Sequence, residues 1–203
     1  MKKKEHSILT LFQEFMKENG RNKRRIAGGK RITKETKKNY GHLYKLLTQF
    51  HEDTGFDLRV RALSNNKRQF NQERNYYKKF YLKFTEYLYY ELDAFDNYVG
   101  HNVKMLRTFF KWISTSKGIY IGEFYKQFHV WKEDIPIIAL TADQLKLLIF
   151  DREFEKSLSP PLRKAKDMFV FGCTVALRVS DLKNLKRQNL ERTTESTYLK
   201  VYS

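Results

Sequence analysis

Cysteine is almost missing from this 203-residue chain; Cys173 stands alone, so no internal disulfide can form and a reducing, cytoplasmic setting is expected. Long apolar runs are missing as well. The longest nearly uninterrupted one, Met168 to Leu177, is far below the roughly 20 residues needed to cross a bilayer, so no membrane is expected as a partner. The basic start of the chain is followed by an apolar patch, Ile8 to Phe12, that Thr10 interrupts and Gln13 and Glu14 end, which does not make a secretion signal. Five histidines are scattered without metal-ligand spacing, and neither a metal nor a cofactor is expected. There is no internal repeat and no low-complexity segment.

Acidic side chains are few beside basic ones. With 40 Lys plus Arg against 23 Asp plus Glu, the chain carries a formal charge of +17, an excess that asks for a polyanionic partner. Charge alone does not choose among DNA, RNA and an anionic membrane surface. A hydrophobic content of 41% with 15% aromatics is enough to fill one or two cores, which excludes a disordered tail.

Hydrophobic spacing predicts a mainly α chain. Ile8, Leu11, Phe12, Phe15 and Met16 form a helical stripe over residues 7 to 19, with Gly20 placed to end it. The next segment is strongly positive: Arg21, Lys23, Arg24, Arg25, Lys30, Arg31, Lys34, Lys37 and Lys38 stand against one acid, Glu35. Thr33 is a plausible cap for a second helix with Tyr40, Leu43, Tyr44, Leu47 and Phe50 on one face, stopping near Gly55. Phe56 to Leu63 alternates apolar with charged residues, and an extended connection is favoured there over a short strand. Phe70 to Leu92 reads as a long aromatic helix whose stripe is core, with Tyr76 or Tyr89 at its edge able to touch a sugar-phosphate backbone. Asp96 to Lys117 reads as a fourth helix, ended by Gly118, with Lys104, Arg107 and Lys111 as a phosphate-facing row.

After Gly118 the chain becomes irregular, and Pro136 opposes helix and marks a linker. The expected organisation is a helical DNA-binding domain over 1–133, a linker over 134–140 and a second domain over 141–203. Thr141 to Gln144 fits a capping box, Pro160-Pro161 introduces a further helix, and Thr197 to Tyr202 has strand-like composition. Met168, Phe169, Gly172, Cys173 and Ala176 should give that helix one buried face, with Cys173 a small buried residue. Ser180 is then placed to cap another helix, Asp181 to occupy its positive first turn, and Leu182 and Leu185 to return it to the core. Arg178 falls in the break between the two helices, where a guanidinium is placed to meet a phosphate.

The run Val175-Ala176-Leu177-Arg178-Val179-Ser180-Asp181-Leu182-Lys183-Asn184-Leu185 resembles the first conserved motif of the tyrosine recombinases, the phage-integrase family of DNA strand-exchange enzymes. That motif usually reads Thr-Gly-Leu-Arg-x-Ser-Glu/Asp-Leu-x-x-Leu; Val175 and Ala176 depart from it at positions that shape the turn. The layout is similar to that of mobile-element integrases. The resemblance implies a helical SAM-like core-binding domain followed by the truncated beginning of an α+β recombinase catalytic domain. It implies that Arg178 is the first of two arginines on the scissile phosphate, that Ser180 and Asp181 support it, and that double-stranded DNA is the partner. Lys200 is a possible counterpart of the family's catalytic lysine.

The family's reaction needs a tyrosine nucleophile, two arginines, a lysine and histidines around a pentacoordinate phosphorus. Of these only Arg178 is assigned. No His-x-x-Arg occurs, all five histidines precede Arg178, and Tyr198 and Tyr202 follow it too closely to be the nucleophile, so both read as strand residues. The expectation is therefore the front half of an integrase that binds DNA without cutting it, since groups acting as a unit lose nearly all their effect when most are missing. The family's strand exchange implies a tetrameric synapse; this portion by itself is expected to be largely monomeric. The alternative is a non-catalytic basic helical protein that binds RNA or acts as a scaffold, with the Arg178 motif coincidental.

Overall fold

A computed structural model describes residues 5–20 and 32–201. Over these the chain is mainly helical, with eight α-helices and two small sheets of two strands each. It divides into two compact units, Met1–Asp134 and Ile135–Ser203. No helix among the described residues is long and apolar enough to cross a membrane.

The first unit begins with strand β1 (Glu5–Ser7) and helix α1 (Ile8–Gly20). Helix α2 (Lys34–Thr54) starts where the Thr33 hydroxyl accepts the Thr36 amide at 3.1 Å. It stops at Gly55, whose φ of 63° lies in the left-handed region that a Cβ disfavours. Strand β2 (Arg59–Arg61) pairs antiparallel with β1, Val60 opposite His6. The extended connection expected over Phe56 to Leu63 is thus corrected to a strand at its centre. The deciding contact is with β1, a partner more than fifty residues away in sequence, and it seals Val60 completely from solvent.

Helix α3 (Lys67–Tyr90) is capped by the Asn66 side chain, which accepts the amides of Arg68 and Gln69. Helix α4 (Asp96–Ser116) follows a short turn. The stretch after Gly118 is irregular, yet it is core: a single 3₁₀ turn, Phe124–Gln127, together with Ile121 and Phe128, buries its aromatic rings. Gly100 makes this closure possible. A Cβ there would lie 1.9 Å from the carbonyl oxygen of Trp131, so only glycine lets the returning backbone cross α4 this closely.

The core of this unit is dense in aromatic rings. Phe12, Phe15, Phe50, Phe80, Phe84, Phe109 and Phe110 are all fully buried, each contributing about 1.5–3 kcal/mol through removal from water. Many meet edge to face, as Tyr77 meets Phe110 at 5.3 Å, the arrangement that the ring quadrupole favours. The aromatic stripe of α3 is core as expected. Its edge is more committed than expected: the hydroxyl of Tyr76 donates to Asp57 O and accepts from Arg59 N, and that of Tyr89 donates to Asp96.

The second unit holds α5 (Ala142–Phe150), α6 (Arg152–Ser157), α7 (Pro160–Val175) and α8 (Val179–Lys183), then a hairpin of β3 (Leu190–Arg192) with β4 (Thr197–Leu199). The capping box before α5 is complete. Thr141 Oγ1 accepts from Gln144 N, and Gln144 Oε1 accepts from Thr141 N. Pro160 and Pro161 occupy the first turn of α7, where proline's missing amide costs nothing.

Two expectations for this unit are corrected. No described residue from Ile135 on is buried, and Met168, Phe169 and Cys173 are exposed rather than on an enclosed face. These short elements supply too little packed surface to enclose a core of their own. Leu182 and Leu185 are half-buried, Leu182 lying against Gly172 of α7.

Candidate nucleic-acid interface

Helix α4 sorts its side chains by period. Val99, Val103, Leu106, Phe110 and Ile113 face the core, which leaves Lys104, Arg107 and Lys111 on the outer side, spaced three and four residues apart. The turn at residues 123–126 rises beside them. Together they line an open groove of ≈ 800 Å³, with Thr108, Ser114, Thr115 and Tyr125 in its walls. Lys126 also lines it, paired with Glu123, the one acid present. Lys104, Arg107 and Lys111 make no ion pair among the described residues. The expected row is therefore brought into a concave, uncompensated cationic surface, and Lys126 joins it although nothing in the sequence pattern marked it.

Of the basic segment before α2, Arg21, Lys23, Arg24, Arg25, Lys30 and Arg31 lie outside the described residues. Lys34, Lys37 and Lys38 occupy the first turns of α2. Cations at this end of a helix meet the positive pole of its dipole, and Glu35 is the acid of the first turn.

The arginine motif lies in the second unit. Helix α7 ends at Ala176, held at φ 51° in the left-handed region, and α8 begins one residue past Arg178. Ala176 stands at the position where the motif it resembles has glycine, and the backbone there adopts the conformation that glycine tolerates best. The bend leaves Arg178 exposed. Its guanidinium makes no hydrogen bond or ion pair among the described residues.

The expected capping role of Ser180 is corrected. Arg178 itself is the N-cap residue, its carbonyl accepting the amides of Asp181 and Leu182 at 2.9 Å, while Ser180 lies within the first turn with its hydroxyl 3.4 Å from Asp181. The helix starts earlier because Ala176 completes the turn reversal before Leu177. Asp181 occupies the first turn as expected, where a carboxylate faces the positive end of α8. It does not neutralise Arg178.

Lys200 directly follows β4 and pairs with Glu191 at 2.8 Å across the hairpin. Its ammonium is thus engaged by a carboxylate. Among the described residues no group of three or more His, Cys, Asp or Glu could hold a metal ion.

Chemically, the arrangement offers exposed guanidinium and ammonium groups on rigid helices, suited to phosphate oxygens. No family model, curated protein or solved structure matches this chain.

Proposed function

We propose that this chain binds duplex DNA, as the core-binding unit and the arginine-bearing part of a catalytic unit of a tyrosine recombinase. The observation that carries the reading is the groove of α4, where Lys104, Arg107 and Lys111 line one wall with no ion pair among the described residues, the groove's one acid, Glu123, being paired with Lys126. Cations held close on one rigid face neutralise neighbouring phosphates, and the cations condensed on the polyanion are then released with a gain of entropy. The bend at Arg178 supports the same reading, since an exposed arginine in this motif is free to reach a phosphate oxygen. In this reading the four-helix unit acts as a SAM-like core-binding domain and supplies affinity, and Arg178 is the phosphate ligand. Bond breakage needs a tyrosine nucleophile and a His-x-x-Arg pair, and the latter does not occur in these residues.

The test is the affinity for duplex DNA as salt is varied. Neutralising about six phosphates gives a log-log slope of about −5, and removing Lys104, Arg107 and Lys111 together as alanines lowers its magnitude by about 3. A flat salt response, or a triple variant with the parent slope, overturns the proposal. Preference for structured RNA over duplex DNA in direct competition points instead to a basic RNA-binding protein.

A further inference from the structure

The outward face of α3 has no part in the reading above. Arg74, Asn75, Lys78, Lys79, Leu82 and Lys83 are all exposed along it. Their spacing places them on one stripe about 14 Å long, at 1.5 Å of rise per residue. The opposite face of the helix is fixed in the core by Tyr77, Phe80, Phe84 and Leu88. The stripe is therefore held rigidly.

Its charge is not cancelled. Lys83 pairs with Glu86 at 2.8 Å, but Arg74, Lys78 and Lys79 have no ion pair and no side-chain hydrogen bond among the described residues. Glu73, next to Arg74 in sequence, is buried on the other side and spends its carboxylate on Arg59. The amide of Asn75 is likewise unused by any described residue. Grooves of ≈ 250 and ≈ 310 Å³ run along this face and share Lys78 and Leu82 as lining residues.

The residue types differ from those in the groove of α4. That groove offers ammonium, guanidinium and hydroxyl groups, which suit phosphate oxygens. The α3 stripe adds a free side-chain amide and an apolar side chain, Leu82, left 45% exposed among cations. An amide donor and acceptor match adenine N6 and N7, a guanidinium matches guanine O6 and N7, and an apolar group meets the thymine methyl. Phosphate contact does not explain Leu82, and the Asn75 amide, which can meet a phosphate, can also pair with a base edge.

Resting on the reading that this chain binds duplex DNA, we propose that the outward face of α3 enters the major groove and reads base edges through Arg74, Asn75 and Leu82. Lys78 and Lys79 hold the flanking phosphates. An α-helix with its side chains is about 10–12 Å across, close to the roughly 12 Å width of that groove. The surface on α4 then supplies affinity and the surface on α3 supplies sequence choice.

The experiment selects from a pool of duplexes with a randomised core, using the full chain. The parent is expected to enrich a defined sequence and to bind it at least about 10-fold more tightly than the unselected pool. Changing Arg74, Asn75 and Leu82 to alanine should bring that ratio to within about 3-fold of unity, with salt-dependent binding to the pool retained. Changing Lys104, Arg107 and Lys111 to alanine should do the opposite, weakening binding to both while the ratio persists. All six side chains face solvent or the open groove, and an unchanged far-ultraviolet helical spectrum checks folding. A parent that enriches no sequence, or an α3 variant that keeps both sequence and ratio, overturns this proposal and leaves DNA binding standing. A parent that binds no duplex at all overturns both.

Discussion

Arg59 of β2 holds Glu73 of α3 through one guanidinium nitrogen, Nη1, which lies 3.0 Å and 2.8 Å from the two carboxylate oxygens. The acid is 1% exposed. Arg59 is its main partner, with Arg61 at 3.9 Å behind, and the pair ties the small sheet to the long helix. Removing Arg59 alone leaves a charge in the interior, which costs about 3–5 kcal/mol, whereas removing both partners costs far less. Urea unfolding of Arg59→Met should show that loss, and Arg59→Met with Glu73→Leu should recover most of it. An R59M single variant as stable as the parent would show the pair to be of no consequence.

At Gly100 the returning backbone of Trp131 crosses α4 in close contact. Because the clash at that position is with backbone oxygen rather than a flexible side chain, Gly100→Ala has no easy relief. Overpacking of this kind costs about 1–3 kcal/mol. The expected effect is a lower thermal midpoint and earlier proteolysis near Trp131, measured by calorimetry and limited digestion. Gly41, whose added Cβ meets nothing within 4 Å, serves as the control.

Ala176 predicts the opposite sign. A left-handed alanine costs about 1–2 kcal/mol, while glycine adds about 0.4–1 kcal/mol of unfolded-state entropy. Ala176→Gly should therefore stabilise the second unit by up to about 1 kcal/mol, read as slower amide exchange across α7 and α8. Faster exchange would mean that the bend does not need the left-handed conformation.

Burial raises several tyrosines of the first unit above their ordinary value of 10.0. Desolvation leads in Tyr76, Tyr77, Tyr87 and Tyr89, and hydrogen bonds to Asp53 and Asp96 add to it at Tyr87 and Tyr89. Tyr87 is pushed up to about 12. A folded pKa above the unfolded one means that the folded state keeps its proton longer. The associated stability is complete below pH 10 and is lost as pH rises through the folded values. A spectrophotometric titration should find these four ionising only as the unit unfolds. Ionisation of all tyrosines in one step near 10, with the fold retained, would contradict the burial.

Much of the local architecture was legible in the residues. Thr33, Gly55, Thr141 with Gln144, and Pro160 carry their helix signals in one or two side chains, and each lies at the helix boundary it marks. The period of Leu43, Leu47 and Phe50 likewise names a buried face without help from the rest of the chain. The row of Lys104, Arg107 and Lys111 was visible for the same reason, since helical spacing alone puts the three on one side. Ser180 was misplaced because a cap depends on where the preceding turn reverses, and the conformation of Ala176 set that.

What the sequence determined by itself is what depends on neighbours within a few residues: helical period, caps, the excess of positive charge and the motif around Arg178. Only the tertiary structure decided that β1 and β2 pair, that residues 119–130 close the core, that Glu73 is buried against Arg59, and that three lysines and arginines of α4 share a groove with Lys126. Those facts depend on groups far apart in the chain, whose meeting is set by packing of the whole unit against loop-closure entropy, a balance that no local window of residues contains.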